Sequence, residues 1–147
     1  MLNVVPAPPP KQVILVRKDL NMRKGKMGAQ ISHGVMKVFV DAGYIEREED
    51  ADGNDFYMLK IPLWSSAHDW LRGKFTKIVL GVDNEVDLLL AYEEAQKAGI
   101  PCTLITDAGL TEFHGIPTNT VVTIGPWDSN TIDLITGPQG IVKTTLL

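Results

Sequence analysis

Cysteine is almost missing from this chain of 147 residues, and histidine is scarce, with three. The single Cys102 excludes an internal disulfide and cannot by itself build a thiolate metal site. Its apolar neighbours, from Ile100 to Ile105, favour a small core residue over a nucleophile. His33, His68 and His114 have no metal-ligand spacing, so no metal is expected. No run approaches the roughly 20 apolar residues of a membrane span. The first ten residues lack the basic start and apolar middle of a signal peptide, so a soluble, cytoplasmic protein is expected. There is no Gly-x-Ser-x-Gly elbow, which removes support for a serine hydrolase. Nor is there a Walker loop: the glycines before Lys26 are wrongly spaced, and no Ser or Thr follows it directly.

What is present suits one globular domain. The hydrophobic fraction is 44% and the charged fraction 22%, ordinary values that allow a core without metal or disulfide staples. The formal net charge of −4 argues against general stickiness towards nucleic acid, but the charges are unevenly placed. Arg17, Lys18, Arg23, Lys24 and Lys26 form a basic segment, whereas Glu46, Glu48, Glu49, Asp50, Asp52 and Asp55 form an acidic one. One end of the molecule is therefore expected to attract a polyanion that another end repels.

Hydrophobic patterning supplies the elements. Residues 1–10 read as a flexible, proline-rich lead-in, and 11–147 as the single domain. Val13 to Val16 is an unbroken apolar run, as in a strand buried on both faces. After a polar loop, a helical period begins at Met27, with Ile31, Val35, Val38 and Phe39 on one face. Lys26, Gln30, His33 and Lys37 fall on the opposite, polar face, and Gly43 ends the helix. Residues 44–75 read as an insertion containing a hairpin around Asp52-Gly53 and a short helix near Ser65 to Leu71. Further strands are predicted at Lys77 to Val82, Cys102 to Ile105 and Thr120 to Ile124, with a last edge strand in the tail. Helices are predicted from Asn84 to Ala98 and from Asp128 or Ser129 to the residue before Gly137. The order is that of an α/β protein: a three-layer α/β/α sandwich around a mixed, largely parallel sheet of four or five strands.

In such sheets ligands gather beyond the carboxyl ends of strands, where Arg17 to Lys26 and Thr106 to Thr111 are expected. The first segment brings ammonium groups to a helix start, suiting a phosphate or a developing oxyanion, or it is simply a solvated basic turn. In the second, Asp107 could orient water, hold Lys26 or cap a turn. His33 is the best placed histidine to act, and a purely structural role is equally open to it. Trp64, Trp70 and Trp127 either stack on bases or pack at a domain edge.

Taken together, the KGK-x-x-AQ-x-SH pattern from Lys24 to His33, the DAG-x-T pattern from Asp107 to Thr111, and the later TVVTIGP run resemble the archaeal/eukaryotic-type peptidyl-tRNA hydrolases. The resemblance covers roughly residues 11–43 and 76–137. It implies hydrolysis of the ester joining peptide to tRNA, without a cofactor, by a protein that is often a homodimer. On matching positions it implies Lys26, Asp107, Gln30, His33 and Thr111 as catalytic candidates. Arg17, Lys18, Arg23, Lys24, Ser32, Ala108 and Gly109 are the corresponding substrate-binding candidates. Chemistry agrees: ester cleavage needs a positioned water and a stabilised oxyanion, and tRNA is a polyanion. Leu110 and Glu112 depart from the DAG-R-T-Q pattern of many relatives, which implies altered tRNA contact. The alternative function is a non-catalytic RNA-binding or adaptor protein that keeps the fold.

Overall fold

Alternation within the first strand decides where the other elements pack. Strand β1, Lys11–Arg17, sends Val13 and Leu15 to one side and Ile14 and Val16 to the other. A strand apolar on both faces requires a covering layer on each. Helix α1, Lys24–Asp41, covers the Ile14 side through Met27, Ile31 and Val35. The Val13 side is covered by α3, Glu85–Lys97, and α4, Ser129–Thr136, which bring Leu88, Ala91, Ala95, Ile132 and Ile135. The three layers are therefore present. The computed structural model describes residues 3–147, so the first two residues of the proline-rich lead-in lie outside it.

The central sheet has five strands in the order β5-β6-β1-β4-β7. The others are β4, Lys77–Val82; β5, Cys102–Asp107; β6, Thr118–Trp127; and β7, Thr145–Leu146. The sheet is mixed, as expected, but not largely parallel: only β1 and β4 pair in parallel, and the other three pairings are antiparallel. The connection from β5 to β6, residues 108–117, holds no helix, and a parallel crossover almost always needs one. Strand β6 therefore returns antiparallel and inserts between β5 and β1. Because it opposes both neighbours, β1, β4 and β5 still point the same way. The ends of β1 and β5 thus emerge at one edge of the sheet.

The segment between α1 and β4 folds as a separate hairpin, β2, Ile45–Glu49, against β3, Asp55–Leu59. Its turn is held by the Asp50 carboxylate, which accepts the N–H groups of Asp52 and Asn54, and Gly53 supplies a φ of +80° there. Helix α2, Ser66–Arg72, follows, capped by the Ser65 hydroxyl, which accepts the N–H of His68. Trp70 on α2 is buried against Phe39 and Phe75, and its indole N–H donates to the Thr76 carbonyl at 2.7 Å. Of the two roles open to it, packing is the one realised.

Candidate active site

The first turn of α1 begins at Lys24, earlier than the hydrophobic period shows, so Lys24 and Lys26 are helical rather than loop residues. The N-cap position is Arg23, with no side-chain cap and no acidic residue in the first turn. The positive end of this 18-residue helix therefore has no compensating group of its own and is further loaded with cations.

Strand β5 approaches this turn with a period of two. Thr103, Ile105 and Asp107 alternate onto the face covered by α1, where the Thr103 hydroxyl meets the Asp41 carboxylate and Ile105 enters the core. Asp107, the last residue of the strand, reaches the beginning of the helix. Lys26 Nζ donates to Asp107 Oδ1 at 2.7 Å and to the Thr111 hydroxyl at 2.9 Å. Gln30, one turn on, donates to the same Oδ1 at 3.1 Å. The N–H of Gly109 donates to Oδ2 at 2.8 Å, closing a tight turn after the strand. Gly109 has φ +81°, and a Cβ there would lie 2.4 Å from the Ile116 carbonyl, so the turn has no room for another residue.

Gln30 corrects the amphipathic reading of α1: assigned to the polar face, it is only 2% exposed. It tolerates burial because both ends of its amide are satisfied. Its N–H meets Asp107, and its Oε1 accepts the Thr120 hydroxyl at 2.6 Å. Thr120 reaches it through an irregularity in β6. Ile105 pairs with Val121, but Thr106 pairs with Asn119, so Thr120 is an extra residue in the ladder. Val122 and Ile124 point towards α3 and α4, and strict alternation would turn Thr120 the same way. The bulge re-aims it at α1. Gly34 allows the close approach, since a Cβ there would lie 2.3 Å from Thr123 Oγ1.

Of the expected site residues, Lys26, Gln30, Asp107, Gly109 and Thr111 thus converge, and Ala108 lies exposed in the turn between two of them. His33 is on the exposed face of α1 and joins no hydrogen bond of this cluster. Ser32 turns back to its own helix, donating to the Gly28 carbonyl at 2.8 Å. Arg17 is committed to Asp19 at 2.7 Å and Glu85 at 3.0 Å, and Lys18 to Asp83 at 2.9 Å. Arg23 stays largely in solvent: its side chain is 89% exposed, in a long ion pair with Glu112 at 3.8 Å. Lys24 is also exposed. Sequence reasoning assigned no role to Thr120 or to Phe113, whose ring centroid lies 5.5 Å from Lys26 Nζ. A threonine opening the mostly apolar run Thr120 to Ile124 was the signal available for Thr120.

The electrostatics follow from this packing. The side chains of Lys26 and Asp107 are 13% and 14% exposed, so their attraction is only partly screened by water. The Lys26 hydrogen bond, helped by the Gly109 N–H and Gln30, holds the Asp107 carboxyl below its ordinary value. Burial and the nearby Asp41 push the Cys102 thiol up to about 11, as suits a half-buried residue packed against the core. Counting valences shows what remains for chemistry. An ammonium has three N–H bonds, and two of those of Lys26 are used. Asp107 Oδ1 accepts two hydrogen bonds and Oδ2 only one. One donor site on Lys26 and one acceptor site on Asp107 Oδ2 are therefore left. Among the described residues no group of three or more His, Cys, Asp or Glu is gathered to hold a metal, and no helix is long and apolar enough to cross a membrane.

Known proteins resemble the chain over most of its length. The family described as Peptidyl-tRNA hydrolase PTH2 matches residues 10–139. The chain is 36% identical to the peptidyl-tRNA hydrolase of Methanocaldococcus jannaschii, over 86% of this chain and 95% of that protein. It is 40% identical to the peptidyl-tRNA hydrolase of Staphylothermus marinus, over 86% and 90%. For that of Thermococcus onnurineus the identity is 35%, over 90% and 97%. Among solved structures, a protein of unknown function from Agrobacterium superposes with a TM-score of 0.53 over 95% of this chain and 98% of the other. At 14% identity that likeness supports the fold alone.

Proposed function

This chain belongs to the PTH2 family of peptidyl-tRNA hydrolases, and from that premise we propose that the Lys26–Asp107 pair is its reaction centre. The chain hydrolyses the ester between the peptide and the tRNA 3′ end, releasing free peptide and reusable tRNA. The observation that supports the assignment of the centre is that Lys26 and Asp107, paired at 2.7 Å, keep one unused donor and one unused acceptor between them. A water held on Asp107 Oδ2 attacks the ester carbonyl, and the free N–H of Lys26 donates to the oxyanion that forms. The bond to the ribose oxygen then breaks, and that oxygen takes up a proton in exchange for the one the water loses. Because the carboxyl is held low, Asp107 positions the water and its charge rather than acting as a strong base. Gln30 and Thr111 fix the pair, and Thr120 fixes Gln30.

Arg23 and Lys24 take the tRNA backbone at the uncapped start of α1, where Glu112 offsets part of the charge. Arg17 and Lys18 act there through their ion pairs, by shaping the end of β1, more than as free cations. A cytoplasmic location and a homodimer complete the proposal on the strength of the family alone. No observation favours the adaptor alternative.

The test is release of the acyl group from an N-acetylated aminoacyl-tRNA, without added metal, by the wild type and by Asp107→Asn. The wild type is expected to release it, with a loss of about 100-fold or more in the variant. A wild type that releases nothing refutes the activity. Undiminished rates from Asp107→Asn and Lys26→Ala refute the centre.

A further inference from the structure

The hairpin leaves unusual surface open. All five residues of β3 are exposed, Phe56, Tyr57, Met58 and Leu59 among them. A two-stranded hairpin has little stability of its own, and an exposed apolar edge is ordinarily blunted. Between the hairpin, α1 and α2 lies an apolar groove of about 660 Å³, walled by Met36, Val40, Tyr57, Leu59, Trp70 and Phe75. Met36 and Val40 also wall a second cleft, which runs beside Ser32 and His33 to Ile105 and Thr106, next to Asp107. The two clefts thus share the Met36 and Val40 ridge of α1, and the second ends at Thr106, the residue before Asp107 in β5. The order along that helix is basic at Arg23 and Lys24, reactive at Lys26, and, apart from Lys37 in its ion pair with Asp41, apolar from Met36 to Val40.

We propose that this groove holds the peptide part of the substrate as an extended apolar chain, an inference that rests on Lys26 and Asp107 being the reaction centre. Charge decides which half of the substrate lies there. The hairpin carries Glu46, Glu48, Glu49, Asp50, Asp52 and Asp55, which repel phosphates and turn the tRNA towards the basic end. The cations of the hairpin are already paired, Arg47 with Asp55 and Lys60 with Glu48, so the groove offers bulk contact rather than a sequence code. That suits a substrate whose peptide varies. From Lys26 to Met36 the helix rises about 15 Å, which an extended peptide spans in about five residues. A single acylated amino acid stops short of the groove, and a longer peptide enters it.

The experiment compares kcat/KM for N-acetylphenylalanyl-tRNA with that for a peptidyl-tRNA ending in the same residue and carrying about ten apolar residues. The wild type is expected to favour the longer substrate by about tenfold or more. Tyr57→Ser, at a side chain 78% exposed and so remote from folding, should bring the ratio towards one. Met36→Glu, also at an exposed position, should do the same from the opposite wall. Equal rates on both substrates in the wild type overturn the groove and leave the reaction centre standing. Cleavage of neither overturns the centre, and the inference with it. A Tyr57→Ser protein that sediments as a monomer where the wild type is a dimer, with the ratio unaltered, gives the groove to a second copy and also overturns it.

Discussion

The hydroxyl of Thr120 is the feature of the site most open to a quantitative test. Thr120 is fully buried, and its hydroxyl is the donor that satisfies Gln30 Oε1 at 2.6 Å. Thr120→Val keeps the shape and strands that oxygen in a position 2% exposed. Leaving a buried acceptor unsatisfied costs about 1–3 kcal/mol. The opposite deletion is milder. Gln30→Met removes the amide, but the Thr120 hydroxyl can turn to the Ile105 carbonyl 3.4 Å away, and Asp107 keeps Lys26 and Gly109. Removing both partners leaves nothing stranded, so the double variant should be more stable than Thr120→Val alone. An interaction energy of about 0.5–3 kcal/mol is expected for such a contacting pair. Urea unfolding at constant m-value measures it, and for a chain of this size each kcal/mol moves the thermal midpoint by roughly 2–4 °C. Turnover supplies an independent readout: Gln30→Met should lower kcat by about tenfold, because Asp107 loses one of its fixed contacts. Additive single effects, with the double variant the least stable of the three, would refute the claim that the bulge exists to satisfy Gln30.

Two further predictions follow from the same geometry. The folded state holds the Asp107 carboxyl low, so its ionised form contributes stability above the ordinary unfolded value near 3.9, and this is lost as pH falls through the lower folded value. A kcat/KM profile should therefore show no loss from Asp107 between about pH 8 and pH 5, and an inflection near the ordinary histidine value of about 6.5 would assign the essential ionisation to another group. Gly109→Ala meets both a φ of +81° and the Ile116 carbonyl, so the turn must open and release its N–H from Asp107. Destabilisation of about 1–3 kcal/mol together with a larger proportional loss of turnover is expected, and thermal unfolding measured beside the ester assay separates the two.

Much of this architecture is written in local pattern. The double-faced run at Val13 to Val16 requires a layer on each side, and Asn84, Gly99 and the Asp52-Gly53 turn mark boundaries that depend on neighbours in the chain. The pairing of Lys26 with Asp107 was open to inference because two distinct motifs each carry a charge suited to the other. Strand order was not local. Whether β6 lies outside β5 or between β5 and β1 depends on which edges remain free once the sheet assembles, and a run of apolar residues carries no direction. The burial of Gln30 was likewise invisible, because the partners that make it tolerable lie 77 and 90 positions away along the chain. Arg17 and Lys18 show the same limit: composition counts them as free cations, and Asp19, Glu85 and Asp83 neutralise them only after folding. By itself, then, the sequence determined most of the elements and the layers, and it named the candidate groups Lys26 and Asp107, since propensity, hydrophobic period and motif act over a few residues. The tertiary structure alone decided the strand order, the bulge that aims Thr120, and which charges stay open, because each depends on contacts between segments far apart in the chain.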